Sequence, residues 1–251
     1  MSRSPDVTGP SSPAGTPPRG PARRSILTAP RPLVVTAALD IARRWCSGHQ
    51  IDGAPALGHA VRVALALGRH LPDVSPSLTA AILLHDVPDY ADTQTLGIEI
   101  GDRCGTDVLI ALWLIHGEHT AMDLYQHDPD AAVRRLETLP SDVAAALAAD
   151  KVVSLSYVLG CARRAWDIRS YWASRRAFLT LVPYFRAFVE VTAPRLPPAL
   201  ADELGGLVRD ARRAAILAAP VTATGRVAQA RPRQRILEGG RSQPVAIVDP
   251  L

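Results

Sequence analysis

An adjacent His-Asp pair, His85-Asp86, closes the apolar run LTAAILLHDV and is the strongest chemical signal in the chain. An imidazole nitrogen beside a carboxylate suits a divalent cation, because both donate lone pairs and the carboxylate adds negative charge. The position sharpens that demand. An ionised aspartate at the end of an apolar helix is costly unless a cation, hydrogen-bond donors or water meet it. For the pair alone two readings stand: a metal site, or two residues reaching solvent at a helix end.

Other residues of the same chemistry lie up and down the chain. His59 opens HAVRVALALGRHL, with Val63, Leu67 and His70 near the same helical face. Asp150 follows the uncharged run Val143 to Ala149, and its small alanine neighbours allow it to point into a bundle. Beside it stands Lys151, the only lysine in the chain. Together His59, His85, Asp86 and Asp150 offer two imidazoles and two carboxylates from three predicted helices, a set suited to Mn²⁺, Fe²⁺ or Zn²⁺. His116 and His119, with Glu118 between them, share a face if the helix continues, and lie in a solvated turn if it ends at Gly117.

The elements that must position these residues are helical. Ser75 can cap a helix whose first turn holds Pro76, and Pro88 discourages continuation beyond Asp86. Leu78, Ala80, Ala81, Ile82, Leu83 and Leu84 put apolar residues on nearly every side of that helix, so it belongs inside a bundle. LVVTAALDIARRWC reads as an amphipathic helix with Leu33, Ala37, Ile41 and Trp45 on one stripe. SGHQIDGAPALG reads as a loop, with Gly53 and Pro55 as breakers. TDVLIALWLI reads as a second buried helix, and Pro140 followed by Ser141, a candidate cap, restarts the chain into the helix that carries Asp150. ALADELGGLVRDARRAAILAA supplies a final helix. No segment alternates in the manner of a strand, so the fold class is all-α.

Between Cys161 and Ala193 the chain is rich in arginine and aromatic residues. Aromatics inside and arginines outside is the default, while Arg163, Arg164 and Arg169 are candidates for a phosphate pocket.

Composition bounds the rest. A chain of 251 residues that is 47% hydrophobic can bury a sizeable core. Residues 1–30 are rich in Pro, Ser and Arg, and residues 220–251 lack sustained periodicity, so both read as disordered tails around one helical domain at 31–219. The net charge of +4 and a pI near 9.3 draw partly on those tails. No nucleic-acid motif accompanies them, so nucleic acid is not the expected partner. Asp40, Arg43 and Arg44 interrupt the first apolar run before it could span a membrane, and three widely spaced cysteines fit reduced thiols. A cytoplasmic protein with no membrane partner is the expectation. Oligomeric state is not legible.

The order His, then His-Asp, then Asp resembles the signature of the HD-domain metal-dependent phosphohydrolases. It is most similar to the hydrolase domain of RelA/SpoT-type proteins, which cleave the 3′-pyrophosphate from (p)ppGpp. GAPALGHAVRVALAL resembles that family's Gly-x-Pro-x-x-x-His stretch, LTAAILLHDV its Ala-rich helix ending in His-Asp, and AADKVVSL its Ala-Asp-Arg/Lys segment. The likeness covers about Val34 to Leu159. It implies an HD-type helical bundle, with His59, His85, Asp86 and Asp150 as ligands of a divalent metal, foremost Mn²⁺. The implied substrate is a nucleotide or related phosphate ester. Asp89 and Lys151 would be the catalytic residues, the first for the attacking water and the second for phosphate charge; a salt bridge to a nearby carboxylate is the rival role of Lys151. The sequence departs from the family where specificity lies. Asp89-Tyr90 stands for a Glu-Asp pair, Gln50 for a basic residue and Ser154 for an Asn. A catalytically impaired nucleotide sensor or scaffold is the alternative function.

Overall fold

Every residue from Leu78 to Leu84 is buried, so the helix that carries them, α3 (Pro76–Leu84), has protein on all sides. The computed structural model describes residues 25–51 and 53–218. The tail readings for residues 1–24 and 220–251 lie outside the described residues. Residues 25–30, read with the N-terminal tail, are described, and Ile26 and Leu27 pack against the core. A Cβ on Gly68 would meet the Ile26 side chain at 2.8 Å, so the glycine is what lets this segment dock.

The fold is all-α. Around α3 the chain forms α1 (Leu33–Trp45), α2 (Ala56–His70), α4 (Thr93–Cys104), α5 (Thr106–Ala121), α6 (Pro129–Thr138) and α7 (Ser141–Arg164). Beyond them come α8 (Ile168–Ser174), α9 (Arg176–Thr180), α10 (Val182–Thr192) and α11 (Pro198–Ala218). Helix α3 touches α1, α2, α5 and α7, and α7 also packs against α2, α10 and α11. One buried cluster joins residues from Val35 to Ala214.

Local chemistry sets the boundaries. The Ser75 hydroxyl accepts a hydrogen bond from the Leu78 backbone N–H at 3.1 Å, with Pro76 in the first turn, as the sequence predicts. The helix then ends at Leu84, and Val87–Asp89 forms a single 3-10 turn around Pro88. Helix α7 begins differently from the expectation. Ser141 is its first helical residue, Pro140 stands at the N-cap with no side-chain bond to offer, and Asp142 Oδ1 accepts from the Val143 N–H at 2.8 Å.

Two more differences bear on function. The loop before α2 contains a short antiparallel hairpin, β1 (Gln50–Ile51) with β2 (Ala54–Pro55), turned at Gly53 with φ of +82°. Helix α5 also runs straight through Gly117 to Ala121. Arg135 from α6 holds that last stretch by donating to the buried Glu118 carboxylate at 2.6 Å.

Helix α7 is long and apolar enough to cross a membrane by composition, but 72% of its apolar window is packed inside the domain.

Candidate metal centre

Four separate elements bring the ligands together. His59 sits in the first turns of α2, His85 and Asp86 follow the end of α3, and Asp150 lies midway along α7. All four are buried, with exposures of 6%, 0%, 8% and 7% in that order. His59 Nε2 lies 3.0 Å from Asp150 Oδ1, while His85 Nε2 is 3.2 Å from Asp86 Oδ2 and 3.7 Å from Asp150 Oδ1. The fourth element is α5, whose His119 Nε2 stands 3.1 Å from Asp150 Oδ2.

These spacings fit ligand atoms around an ion. Ligand bonds of about 2.1 Å separate neighbouring donor atoms by about 3.0 Å in an octahedron and about 3.4 Å in a tetrahedron. His59, His85 and Asp86 form one triad within the reach of a single ion, and His85, His119 and Asp150 form another. The described residues therefore include a buried His/Asp group that could hold a divalent ion.

Hydrogen bonding at His85 adds an independent fit test. Its Nδ1 donates to the Ile82 carbonyl at 2.7 Å, which leaves Nε2 as the nitrogen facing the carboxylates. Neither His85 Nε2 nor Asp86 Oδ2 has a hydrogen-bond partner, and both are buried. If Nε2 carries only its lone pair, two acceptors face each other in a dry site, which requires a cation between them or a proton on the ring. The site's charge favours either answer. Burial pulls the His85 pKa down, but the negative charge of Asp86 and then of Asp150, 3.7 Å away, lifts it from 6.5 to about 9. At Asp150 burial raises the carboxyl, yet hydrogen bonds from His119 and His59, with His85 close by, outweigh it and hold the group well below 3.8.

The two residues nominated for catalysis lie elsewhere. Asp89 is outside the ligand triads, with its side chain 56% exposed and Oδ1 3.9 Å from His116 Nδ1. Its backbone N–H donates to the Asp86 carbonyl at 3.1 Å. Lys151, although adjacent to Asp150, turns to α10 and is buried at 2% exposure. Its Nζ lies 4.6 Å from the Phe188 ring centroid and 5.6 Å from that of Tyr184, with no hydrogen-bond partner. In this conformation it reaches neither solvent-borne substrate nor a carboxylate, and the ring faces take the place of both. Burial also depresses its pKa, against the pull of Asp150 and Glu118.

The residue the sequence left open is His119. Its spacing from His116 was the available signal, and continuation of α5 through Gly117 decides it. Tyr90, four residues beyond Asp86, stacks on His49, with ring centroids 4.1 Å apart and planes 13° from parallel. Burial and the charges of Asp86, Cys46 and Asp89 push the Tyr90 hydroxyl up to about 12, so the ring stays neutral. No family model matches the chain, and a search of curated proteins finds no similar one.

Proposed function

We propose that the protein is a metal-dependent phosphohydrolase acting on a nucleotide or related phosphate ester, with Mn²⁺ as the metal and (p)ppGpp as the leading named substrate. One observation carries the reading: five side chains from four elements converge at ligand-to-ligand spacings of 3.0 to 3.7 Å in a buried site. A divalent ion there would polarise a phosphoryl oxygen and acidify water toward a pKa of about 7.

The chain's own residues do the rest. His85 is held by Ile82 in the tautomer that presents Nε2 to the centre. His59, Asp86, Asp150 and His119 complete the donor set. Asp89, exposed and near His116, takes the proton-handling role that the reaction needs. Metal analysis of the purified full chain, combined with a nucleotide panel under added Mn²⁺, tests the proposal. Bound metal and released phosphate or pyrophosphate support it; a metal-free protein that leaves the whole panel intact sinks it.

A second reading is a nucleotide sensor without turnover. The stacked His49-Tyr90 pair favours it, because a neutral ring stands where the resembling hydrolases carry a second carboxylate. Nucleotide binding without hydrolysis, unchanged in Asp86→Ala, would decide for the sensor.

A further inference from the structure

Helices α7 and α11 pack side by side and run in the same direction. Arg195, just before α11, donates to the carbonyl of Leu139, just before α7, at 2.6 Å, and Arg163 near the end of α7 meets Asp210 of α11 at 3.2 Å. Both helices therefore finish at one end of the bundle, where α8 also touches α11. Four apolar side chains stand outward there. Trp166, in the turn between α7 and α8, is fully exposed, and Ile168, Ile216 and Leu217 are each at least half exposed.

The same surface is rich in positive charge. Arg163, Arg164 and Arg169 flank Trp166 in sequence and are exposed. On α11 the exposed positions Arg209, Arg212, Arg213 and Ile216 recur at helical spacing, while Val208, Ala211 and Ala214 on the other face are buried. Across residues 163–169 and 209–217 two aspartates oppose six arginines, and both aspartates are engaged. Asp210 lies between Arg163 at 3.2 Å and Arg213 at 3.4 Å. Asp167 accepts from the backbone N–H groups of Arg169 and Ser170 at 2.9 and 3.2 Å, and from the Ser170 hydroxyl at 2.6 Å. Those bonds cap α8 and so fix the turn from which Trp166 projects.

An exposed indole among aliphatic side chains and arginines matches the boundary of a lipid bilayer. Tryptophan settles at headgroup level, isoleucine and leucine reach the acyl chains, and arginines extend their charge to anionic headgroups while their stems lie along apolar atoms. Nucleic acid would engage the arginines and the indole, but its bases and phosphates offer Ile168, Ile216 and Leu217 no partner. We propose that this end of the bundle is a docking surface for a membrane rich in anionic lipid, to which the protein attaches peripherally. Such attachment needs no spanning segment. Arg164 lies fourteen residues beyond Asp150 on α7, about 21 Å of helix axis, so the docking surface and the metal centre are separate places.

Vesicle flotation of the full chain tests the assignment, with phosphatidylcholine vesicles set against vesicles holding about one third phosphatidylglycerol. Wild type should float with the anionic vesicles alone, shift its tryptophan emission to the blue, and detach as salt rises. Trp166→Ser, at a fully exposed position, should remove most of the shift and weaken binding about tenfold or more. The triple variant Arg164→Gln/Arg169→Gln/Arg212→Gln should weaken it by about tenfold or more through lost charge. Ile110→Ser, an exposed apolar position on α5, should leave binding unchanged. Absence of wild-type binding to anionic vesicles overturns the proposal, as does binding that both surface variants retain in full. Either rival occupant overturns it too: a short single-stranded RNA that binds where vesicles do not, or self-association that Trp166→Ser dissolves while vesicles stay unbound.

Discussion

His85 Nε2 and Asp86 Oδ2 face each other at 3.2 Å inside the protein, each without a hydrogen-bond partner. A cation must resolve that contact, and proton and metal ion compete for the place. In the metal-free protein the proton wins at neutral pH, because the His85 pKa is raised from 6.5 to about 9.

The consequence is a stability profile with a defined direction. A folded-state pKa above the unfolded one means that His85 contributes its full stabilisation below 6.5 and loses it as pH rises through about 9. The loss is on the order of 3 kcal/mol for so buried a group. Asp150 acts on the acid side, where its depressed pKa gives stability that is present above 3.8 and fades as pH falls below it. Thermal melts of chelator-treated protein from pH 6 to pH 9.5 should show the alkaline decline, and added Mn²⁺ should flatten it. A flat metal-free profile would remove the coupled imidazole from the account.

His119 should behave as a ligand and His116 as a neighbour. His119→Ala lowers divalent-ion affinity at least about tenfold, whereas His116→Ala stays within about threefold of wild type. Calorimetric titration with Mn²⁺ checks both, and equal affinities in all three proteins would exclude His119 from the donor set.

Burial assigns Lys151 to the core. Lys151→Met keeps the aliphatic volume against Phe188 and Tyr184 and removes an ammonium with no hydrogen-bond partner, so the melting temperature holds or rises. Lys151→Ala leaves a cavity and costs about 2 kcal/mol or more. Mn²⁺ affinity and hydrolysis should survive in Lys151→Met; a loss of turnover at unchanged stability would return the residue to catalysis.

Asp89 separates chemistry from metal binding. Because its carboxylate lies outside both ligand triads, Asp89→Asn leaves Mn²⁺ affinity unchanged. Turnover of a substrate found in the nucleotide panel should fall about a hundredfold or more. Parallel loss of the metal would make Asp89 a ligand instead.

Helical periodicity, proline placement and the Ser75 cap made most of the bundle legible, since those signals act within one or two turns. The order of His59, His85-Asp86 and Asp150 likewise foretold residues that the structure brings together. What escaped depends on contacts between distant segments. Helix α5 passes Gly117 because Arg135, from another helix, reaches Glu118, and no local rule anticipates that bond. The resemblance assigns Lys151 a catalytic role as the basic residue after Asp150, yet successive helical residues point about 100° apart, and that rotation delivers it to α10. The hairpin at Gly53 did carry a local signal in the sequence, an Asp-Gly dipeptide, which a reading of glycine as a breaker alone passes over.

The two ligand triads meet at one atom. With Nδ1 committed to Ile82, His85 has a single nitrogen to give, and that nitrogen belongs to both sets. Two ions could not each claim it, so the centre should saturate at one equivalent of metal, with different ions excluding one another rather than filling adjacent places. Occupancy then becomes a choice, set by whichever ion is most abundant relative to its affinity.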